Sequence, residues 1–496
     1  MEFLPIILIF LFIITLILNY LSNISANKSS IQIMNEMGIG YNLGNSFDSY
    51  LIGKKIKSPD EQITLLGNPI PNKNLIINLK KSGFKTIRFP VSWTNFIDEF
   101  GNVNQEWMKR VKEVVKWIIN KKLYCILNIH DDGDDDSKKK DKYINLWRKI
   151  AEEFKDFNEN LIFELKNKPK FVKSYYELDY DALLNFSQDF IDIVRKSGGF
   201  NSQRLLIISV MNSEIFEAFN NNMKIPTDSA NKFAISIHYF EPEDFTLNKN
   251  SKKIWGSENE YKEIFSNFEK LKETFIIKGI PIIITEVGVK TEINKNESSI
   301  REYLYTIFSL SNQYNGILSC LWDTSQKKFG NMNYFNRETY EWYDNKIKNI
   351  FIKLSKNQNI KIFDYYIKTT TETIYEPSTN YGEYYISLNK KTPLIIKINA
   401  NYKGQLYKDY FFYISSYDQK GYHFYINFGK ENSKKQYDGT IIYTIDLSKI
   451  DCNNYIEVTN YYSLTFSINN ITVEYKENFI TFDYKSFKAQ ISKEIN

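Results

Sequence analysis

The chain has 496 residues, of which 43% are hydrophobic and 25% charged, and this ordinary globular composition leaves room for a large core and two domains. Its 64 basic and 59 acidic side chains give a net charge of +5, which is too small to indicate a nucleic-acid partner. Three cysteines and three histidines, with no cluster at zinc spacing, predict no disulfide framework and neither a metal nor a cofactor.

The N-terminus begins with an apolar, uncharged run, Phe3–Leu18, followed by the small-residue sequence Ile24-Ser25-Ala26. This run is nearer in length to the apolar core of a secretory signal than to the ~20 residues of a membrane span. Residues 1–26 are therefore predicted to be a signal peptide. A membrane anchor is the alternative, because no Lys or Arg precedes the run. Either interpretation predicts export, as a secreted protein or as one anchored with its remainder outside the cell.

Between residues 30 and 358, strand-like runs alternate with amphipathic helical stretches such as 105–120, 143–157, 180–196, 258–277 and 298–311. The predicted strands are apolar on both faces and cover 38–43, 84–89, 123–129, 161–165, 204–209, 234–237, 281–285 and 317–321. Eight such units over about 330 residues predict an α/β fold, a closed (β/α)8 TIM barrel. An open doubly wound sheet is the alternative.

Nearly every predicted strand ends in a side chain suited to chemistry. In a (β/α)8 barrel the carboxyl ends of the strands form the active face, so side chains at these ends are expected to meet. They are Arg88 after the second strand, His130 after the third, Asn167 and Lys168 after the fourth, His238 after the sixth, Glu286 after the seventh and Trp322 after the eighth.

The pattern changes after about residue 350. A Thr-rich stretch followed by Pro377 predicts a linker over 366–380. Beyond it, short alternating segments separated by turn residues predict a small all-β sandwich domain over 381–496.

Seven motifs at the strand ends, taken together and in order, make the barrel resemble glycoside hydrolase family 5, the cellulase-type endoglucanases. They are Gly40–Asp48, Gly83–Trp93, Ile126–His130, Leu161–Pro169, Ile235–Tyr239, Ile283–Gly288 and Cys320–Asp323. The C-terminal region, with Tyr443–Ser448, resembles a carbohydrate-binding module. The resemblance implies a glycoside hydrolase without a cofactor, with β-glucan or a cello-oligosaccharide as its partner.

The resemblance also implies roles for individual residues. Glu286 matches the family's nucleophile, and Arg88 matches the arginine that supports it electrostatically. The residues that match the lining of the sugar site are Asn45, His130, Asn167, His238 and Trp322.

Two positions depart from the family pattern. The family's acid/base is the Glu of an Asn-Glu-Pro exit, where this chain has Asn167-Lys168-Pro169, and a family tyrosine that touches the nucleophile is replaced by Phe240. A lysine side chain ordinarily titrates near pH ~10.4, so it stays protonated and cannot take a proton from water. We expect Lys168 to pair with Glu286 and to tie up the nucleophile. Loss of general acid–base help typically costs about 10²–10⁴ in rate.

Two other carboxylates are candidates to replace the missing acid/base. Glu164 lies in the predicted fourth strand, before Lys168, and is expected to be a hydrogen-bonded core residue, whereas Asp131 follows the third strand at the barrel mouth. Three hypotheses remain. The preferred one is a protein that binds β-1,4-glucan with little or no hydrolysis. The second is an active retaining endo-β-1,4-glucanase of polysaccharide catabolism with a substitute acid/base, and the third is a structural cell-wall or adhesion protein.

Overall fold

The computed structural model describes residues 28–356, apart from 52–53, 55, 131–134, 175–176, 248–251, 292–294 and 327–331, together with nine strands between 364 and 481 and the helix 484–495. The chain divides into two compact units. One holds the chain up to residue 362 and the C-terminal helix, and the other holds residues 363–483. The predicted signal peptide or anchor, 1–26, lies outside the described residues. Among the residues described, no helix is long and apolar enough to cross a bilayer.

Eight parallel strands close into a barrel, as predicted, with each strand hydrogen-bonded to its neighbours in chain order and β1 paired with β8. They are β1 Gly40–Leu43, β2 Thr86–Phe89, β3 Tyr124–Asn128, β4 Leu161–Glu164, β5 Leu206–Glu214, β6 Phe233–Tyr239, β7 Ile282–Val287 and β8 Ile317–Asp323. The fifth strand runs past its predicted end at residue 209, and this difference matters for the site.

Twelve α-helices are described around these strands. They are α1 Ser30–Met37, α2 Pro59–Thr64, α3 Lys73–Lys81, α4 Gln105–Asn120, α5 Lys140–Phe154, α6 Tyr180–Lys196, α7 Ile215–Ala218, α8 Glu243–Thr246, α9 Glu258–Thr274, α10 Glu297–Gln313, α11 Asn345–Ser355 and α12 Tyr484–Ile495. Short 3-10 turns cover Thr94–Phe96, Gly199–Ser202 and Ile276–Lys278, and two small hairpins pair Val172–Ser174 with Glu177–Leu178 and Phe335–Asn336 with Glu341–Trp342.

Helix α4 shows why these segments are helical. The Asn104 side chain accepts the Trp107 backbone N–H at 3.1 Å and caps the first turn. Buried apolar side chains then recur every three or four residues, at Trp107, Val111, Val114 and Ile118. That spacing places them on one face, which packs against the barrel.

Helix α1 closes the amino end of the barrel. Its Ile33, Met34 and Met37 join one buried cluster with side chains near the starts of the strands, among them Ile126 and Leu318. The carboxyl ends of the strands lie at the opposite end of the barrel, which α1 does not cover.

The strands of the second unit form two antiparallel sheets. The five-stranded sheet orders Asp364–Tyr375, Phe466–Thr481, Pro393–Tyr402, Thr440–Asp446 and Ser433–Lys435, and the four-stranded sheet orders Glu383–Ser387, Tyr455–Asn460, Phe412–Asp418 and Gly421–Phe428. The predicted linker over 366–380 is therefore wrong up to Tyr375, because that stretch is a strand paired along its length with Phe466–Thr481. The rest of the predicted linker lies outside the described residues.

The last helix, α12, belongs to the barrel unit, so the prediction that the sandwich extends to residue 496 is wrong at its end. Tyr484 donates its hydroxyl to the Gly256 carbonyl at 2.9 Å. Lys488 pairs with the buried Glu302. Ile491 and Ile495 are four residues apart, lie on one face of the helix and are both buried in the barrel unit.

Candidate active site

A cavity of about 820 Å³ opens at the carboxyl ends of the barrel strands. Eight of the nine site residues predicted from sequence line it, namely Asn45, His130, Asn167, Lys168, His238, Phe240, Glu286 and Trp322. The ninth, Arg88, is fully buried and makes its contacts from within the barrel. The order of the strands thus brings together side chains separated by up to 277 positions in the sequence, from Asn45 to Trp322.

Arg88 joins two carboxylates inside the barrel. Its Nε and Nη2 donate to the two oxygens of Glu164 at 2.7 and 2.8 Å, and Nη1 donates to Glu286 Oε1 at 2.9 Å. Burial by itself lowers the pKa of Arg88, but Glu164 and Glu286 raise it to a net value above the usual one. Glu164 is the buried, hydrogen-bonded residue expected from the sequence.

Amide side chains complete this network. Asn42 accepts from Arg88 Nη1 at 2.9 Å and donates to the Thr285 carbonyl at 2.8 Å, so it ties the guanidinium to β7. Asn167 accepts from Arg88 Nη2 at 3.1 Å, and its amide nitrogen lies 3.2 Å from His130 Nε2. Asn42 was not singled out from the sequence, although it lies inside the Gly40–Asp48 motif.

Glu286 is 5% exposed and has a histidine on each side. His238 Nδ1 lies 3.4 Å from Glu286 Oε2, and His130 Nε2 lies 3.9 Å from Oε1. Burial raises the pKa of Glu286, while Arg88 and Lys168 partly oppose that rise. Burial also holds the pKa of both histidines well below the usual value, helped by the charges of Arg88 and Lys168. The imidazoles are therefore neutral near pH 7 and act as hydrogen-bonding groups.

Aromatic rings supply the apolar part of the cavity. Trp322 stacks on His130 with ring centroids 5.8 Å apart and an interplanar angle of 9°. Phe240 meets His238 edge-on, at 6.1 Å and 87°. Flat rings beside neutral hydrogen-bonding groups suit a sugar, which offers an apolar face and a rim of hydroxyls.

Lys168 does not form the predicted ion pair with Glu286. The residue has φ +43°, a left-handed backbone, and its N–H donates to the Ser213 hydroxyl at 3.2 Å. Its side chain is exposed, and among the described residues no carboxylate lies within 4.0 Å of its ammonium group. Arg88 is the cation that contacts Glu286, because its guanidinium reaches the carboxylate from inside the barrel.

The sequence profile of cellulase (glycosyl hydrolase family 5) matches residues 52–328, more than half of the chain. The chain belongs to glycoside hydrolase family 5. Endoglucanase A of Clostridium longisporum is 33% identical over 349 residues, which are 66% of this chain and 66% of that protein. Cellulase/esterase CelE of Acetivibrio thermocellus is 28% identical, and the match covers 64% of this chain but only 39% of that protein. The chain thus spans less than two thirds of the length of both relatives.

Solved structures of family 5 match the barrel over nearly their whole length. A GH5-4 broad specificity endoglucanase from an uncultured bovine rumen ciliate is 44% identical with a TM-score of 0.65, and the match covers 67% of this chain and 99% of that one. A GH5-4 broad specificity endoglucanase from Ruminococcus champanellensis with bound cellotriose is 28% identical with a TM-score of 0.60, over 66% and 99% of the two chains.

The exit of β4 in this family 5 barrel is anchored by a buried ion pair. Lys166 Nζ lies 3.3 Å from Asp136 Oδ2, and both side chains are fully buried. The same Asp136 oxygen accepts the Lys170 N–H at 2.9 Å, and the Asp136 N–H donates to the Lys170 carbonyl at 2.7 Å. These bonds fix both ends of the turn that carries Lys168. Asp131, the substitute considered from the sequence, lies outside the described residues.

The fifth strand brings a residue to the site that sequence reasoning missed. Asn212 and Ser213 have φ of +53° and +56°, and the pairing of β5 with β6 shifts between Ser209 and Glu214. This bulge carries the strand on to Glu214, which lines the cavity with Glu241 and Glu243. Asn-Ser pairs favour turns, and no sequence pattern indicates that the strand resumes after one.

Proposed function

We propose that this family 5 protein binds β-1,4-glucan at the barrel mouth and hydrolyses it very slowly or not at all. Glu286 is its nucleophile, and Lys168 occupies the acid/base position without being able to act there. The bound sugar contacts Asn45, His130, Asn167, His238, Phe240 and Trp322.

The observation that carries the proposal is the contrast between two strand exits. Retaining hydrolysis needs one carboxylate to attack the anomeric carbon and a second carboxyl group, ~5–5.5 Å away, to protonate the leaving oxygen and later deprotonate water. The β7 exit supplies Glu286, held by Arg88 at 2.9 Å. The β4 exit supplies the exposed ammonium of Lys168.

Binding is supported by the lining of the cavity. Asn45, His130 and Asn167 line the cavity, and their amide and imidazole groups suit hydrogen bonds to sugar hydroxyls. Trp322 is half-buried beside His130 and offers a ring face for stacking. The cellotriose held by the R. champanellensis relative is the kind of ligand this lining fits.

Turnover of soluble β-1,4-glucan by the full chain and by Lys168→Glu tests the proposal. We expect the variant to be about 10²–10⁴ faster, because it regains general acid–base help. Lys168→Gln is the matched control: it removes the ammonium without supplying a carboxyl group, and we expect it to stay within tenfold of the wild type. A wild-type rate within tenfold of Lys168→Glu would overturn the proposal and favour an active glucanase with a substitute acid/base.

Two further measurements separate the other hypotheses. An aryl cellobioside with a good leaving group needs little protonation, so we expect Glu286 of the wild type to release its phenol and Glu286→Gln to abolish the release. Calorimetric titration with cellotetraose should show saturable binding that Trp322→Ala weakens about tenfold, equivalent to about 1.4 kcal/mol. Absence of saturable binding would leave the structural cell-wall or adhesion role.

The proposal also includes export and an accessory domain. Residues 1–26 act as a cleaved signal peptide of a secreted protein, with an uncleaved membrane anchor as the alternative. The residues from 381 to the last strand act as a carbohydrate-binding sandwich. Mass spectrometry of the mature N-terminus distinguishes cleavage from anchoring. Pull-down of the full chain on insoluble cellulose, compared with Trp322→Ala, shows whether binding persists when the barrel site is weakened.

A further inference from the structure

A second glutamate stands at the same level of the barrel as Glu286. Glu214, the last residue of β5, is paired in register with His238 of β6, and His238 is paired in register with Glu286 of β7. Only one strand therefore separates the two glutamates. At the usual spacing of 4.7–4.9 Å between strands, their backbones are about 10 Å apart.

The two carboxyl groups face one cavity. Residues in register on neighbouring strands point to the same side of a sheet, and Glu214, His238 and Glu286 all line the cavity at the mouth. Across a gap of about 10 Å, two glutamate side chains that lean toward each other can bring their carboxyl groups to the ~5–5.5 Å of a retaining pair. Glu214 is exposed, so its side chain is free to take up that position when sugar binds.

We propose that Glu214 performs the proton transfer that Lys168 cannot, so that the slow hydrolysis of this protein depends on the β5 bulge. This inference rests on the proposed function and adds to it the residue through which residual turnover runs.

The two steps balance without any further reactant. Glu286 Oε attacks the anomeric carbon, the bond from that carbon to the leaving oxygen breaks, and this oxygen takes the proton of the Glu214 carboxylic acid. Glu214, now a carboxylate, then takes a proton from water while the water oxygen bonds to the anomeric carbon and the bond to Glu286 breaks.

The charges around Glu214 suit both halves of this cycle. Although the Glu214 side chain is exposed at the mouth, partial desolvation by the surrounding protein raises its pKa, as do the carboxylates of Glu217 and Glu243, while Lys168 and Lys170 partly lower it. The net rise favours the protonated acid needed for the first step. After the proton has left, the two ammonium groups stabilise the carboxylate needed for the second.

Among the residues that the structure describes, two other carboxylates line the cavity, but neither has this relation to Glu286. Glu241 follows β6 after Phe240, and Glu243 begins helix α8, so neither is paired in register with β7. Glu243 therefore supplies a matched control, because Glu243→Gln removes the same charge from the same cavity.

The test introduces Glu214→Gln into the wild type and into Lys168→Glu. In the wild type we expect turnover of soluble β-glucan to fall at least tenfold with cellotetraose affinity within twofold, and the basic limb of the kcat profile against pH to disappear. In Lys168→Glu the restored glutamate makes Glu214 dispensable, so the loss should be less than threefold. We expect Glu214→Asp to show an intermediate loss, and Glu243→Gln, which removes one of the charges that raise the pKa of Glu214 but not the proposed proton donor, to lose less than threefold.

The outcomes separate this inference from the proposed function. Equal losses in both backgrounds would show a merely structural role for Glu214. No loss in the wild type, or no measurable wild-type hydrolysis to lose, would overturn the inference and leave the proposed function standing. A wild-type rate equal to that of Lys168→Glu would overturn the proposed function instead, and the effect of Glu214→Gln would still decide the role of Glu214.

Discussion

Arg88 Nη1 donates to Glu286 Oε1 at 2.9 Å, and neither side chain is more than 7% exposed. The same guanidinium holds both oxygens of Glu164, so one cation serves two buried carboxylates. The charged form of Glu286 is thus stabilised mainly from inside the barrel by Arg88, with a smaller contribution from Lys168 at the β4 exit. Under the proposed function, Lys168 at that exit impairs proton transfer, while the contact between Arg88 and Glu286 stays in place.

We expect Arg88→Met to destabilise the barrel by about 3–5 kcal/mol, because removing one partner of a buried ion pair leaves Glu164 charged and unpaired. Urea unfolding followed by tryptophan fluorescence measures this loss. All seven tryptophans lie between residues 93 and 342, so the signal reports the barrel.

The matched control is Arg110→Met. Arg110 also contacts two carboxylates, Asp60 and Glu113, each at 2.9 Å, but at the surface, where such pairs contribute about 0–1 kcal/mol. Equal losses for the two variants would contradict the structural importance of the buried network.

The stability of the barrel should fall as the pH drops through the usual histidine pKa of about 6.5. Because burial lowers the pKa of His238 in the folded state, only the unfolded chain takes up the proton, and protonation favours unfolding. The slope attributable to one such histidine is at most about 1.4 kcal/mol per pH unit. The raised pKa of Glu286 acts in the opposite direction, since a carboxyl group that binds its proton more tightly when folded favours folding at lower pH.

Comparing the pH dependence of unfolding in the wild type and in His238→Asn separates the effect of the histidine from that of Glu286. Between pH 7 and 5, the unfolding free energy of His238→Asn should depend less steeply on pH than that of the wild type. His423→Asn, in the second unit, should leave the barrel's transition unchanged. A slope for His238→Asn as steep as the wild type's would contradict the assignment of a neutral, buried His238.

Most of the site could be predicted from sequence because the carboxyl ends of all parallel strands lie at the same end of the barrel. Eight of the nine predicted residues line one cavity for that reason alone. Pairing within the cavity could not be predicted in the same way. The family resemblance implied that Arg88 supports Glu286, but the position of the Lys168 side chain depends on its left-handed backbone and its bond to Ser213, which the sequence does not reveal.

The remaining errors concern segments whose residues suit two conformations. Threonine-rich stretches occur in linkers and in strands alike, so only the pairing with Phe466–Thr481 shows that Asp364–Tyr375 is a strand. The Asn212-Ser213 pair marks a turn in most sequences but here forms a bulge inside β5. Helix α12 was missed because its stability comes from burial on the barrel, which lies far away in the sequence.

That burial makes the C-terminal helix a testable part of the barrel. Ile491 is 1% exposed, so we expect Ile491→Ala to cost about 2–5 kcal/mol of barrel stability, the usual range for such a truncation in a core. The tryptophan signal again reports the barrel alone. Lys493→Ala, on the exposed side of the same helix, should stay within about 0.5 kcal/mol of the wild type. If Ile491→Ala unfolded at the same urea concentration as the wild type, α12 would make no contribution to the stability of the barrel.

Phe240 is the second position that departs from the family pattern. Replacing it with tyrosine should change the pKa of Glu286 without changing the proton donor. The ring of Phe240 meets His238 edge-on at 6.1 Å, and His238 in turn lies 3.4 Å from Glu286. In Lys168→Glu, the additional change Phe240→Tyr supplies a hydroxyl that can donate to the carboxylate. Such a bond favours the ionised form and lowers the pKa that burial has raised.

The expected result is an acidic limb of kcat/KM that moves to lower pH, together with a several-fold higher rate below neutral pH. Measuring the pH profiles of Lys168→Glu with and without Phe240→Tyr checks this shift. Phe240→Leu in the same background removes the ring without adding a donor and should not move the limb to lower pH. Were the limb to stay in place although Lys168→Glu is active, the hydroxyl at position 240 would have no influence on the nucleophile.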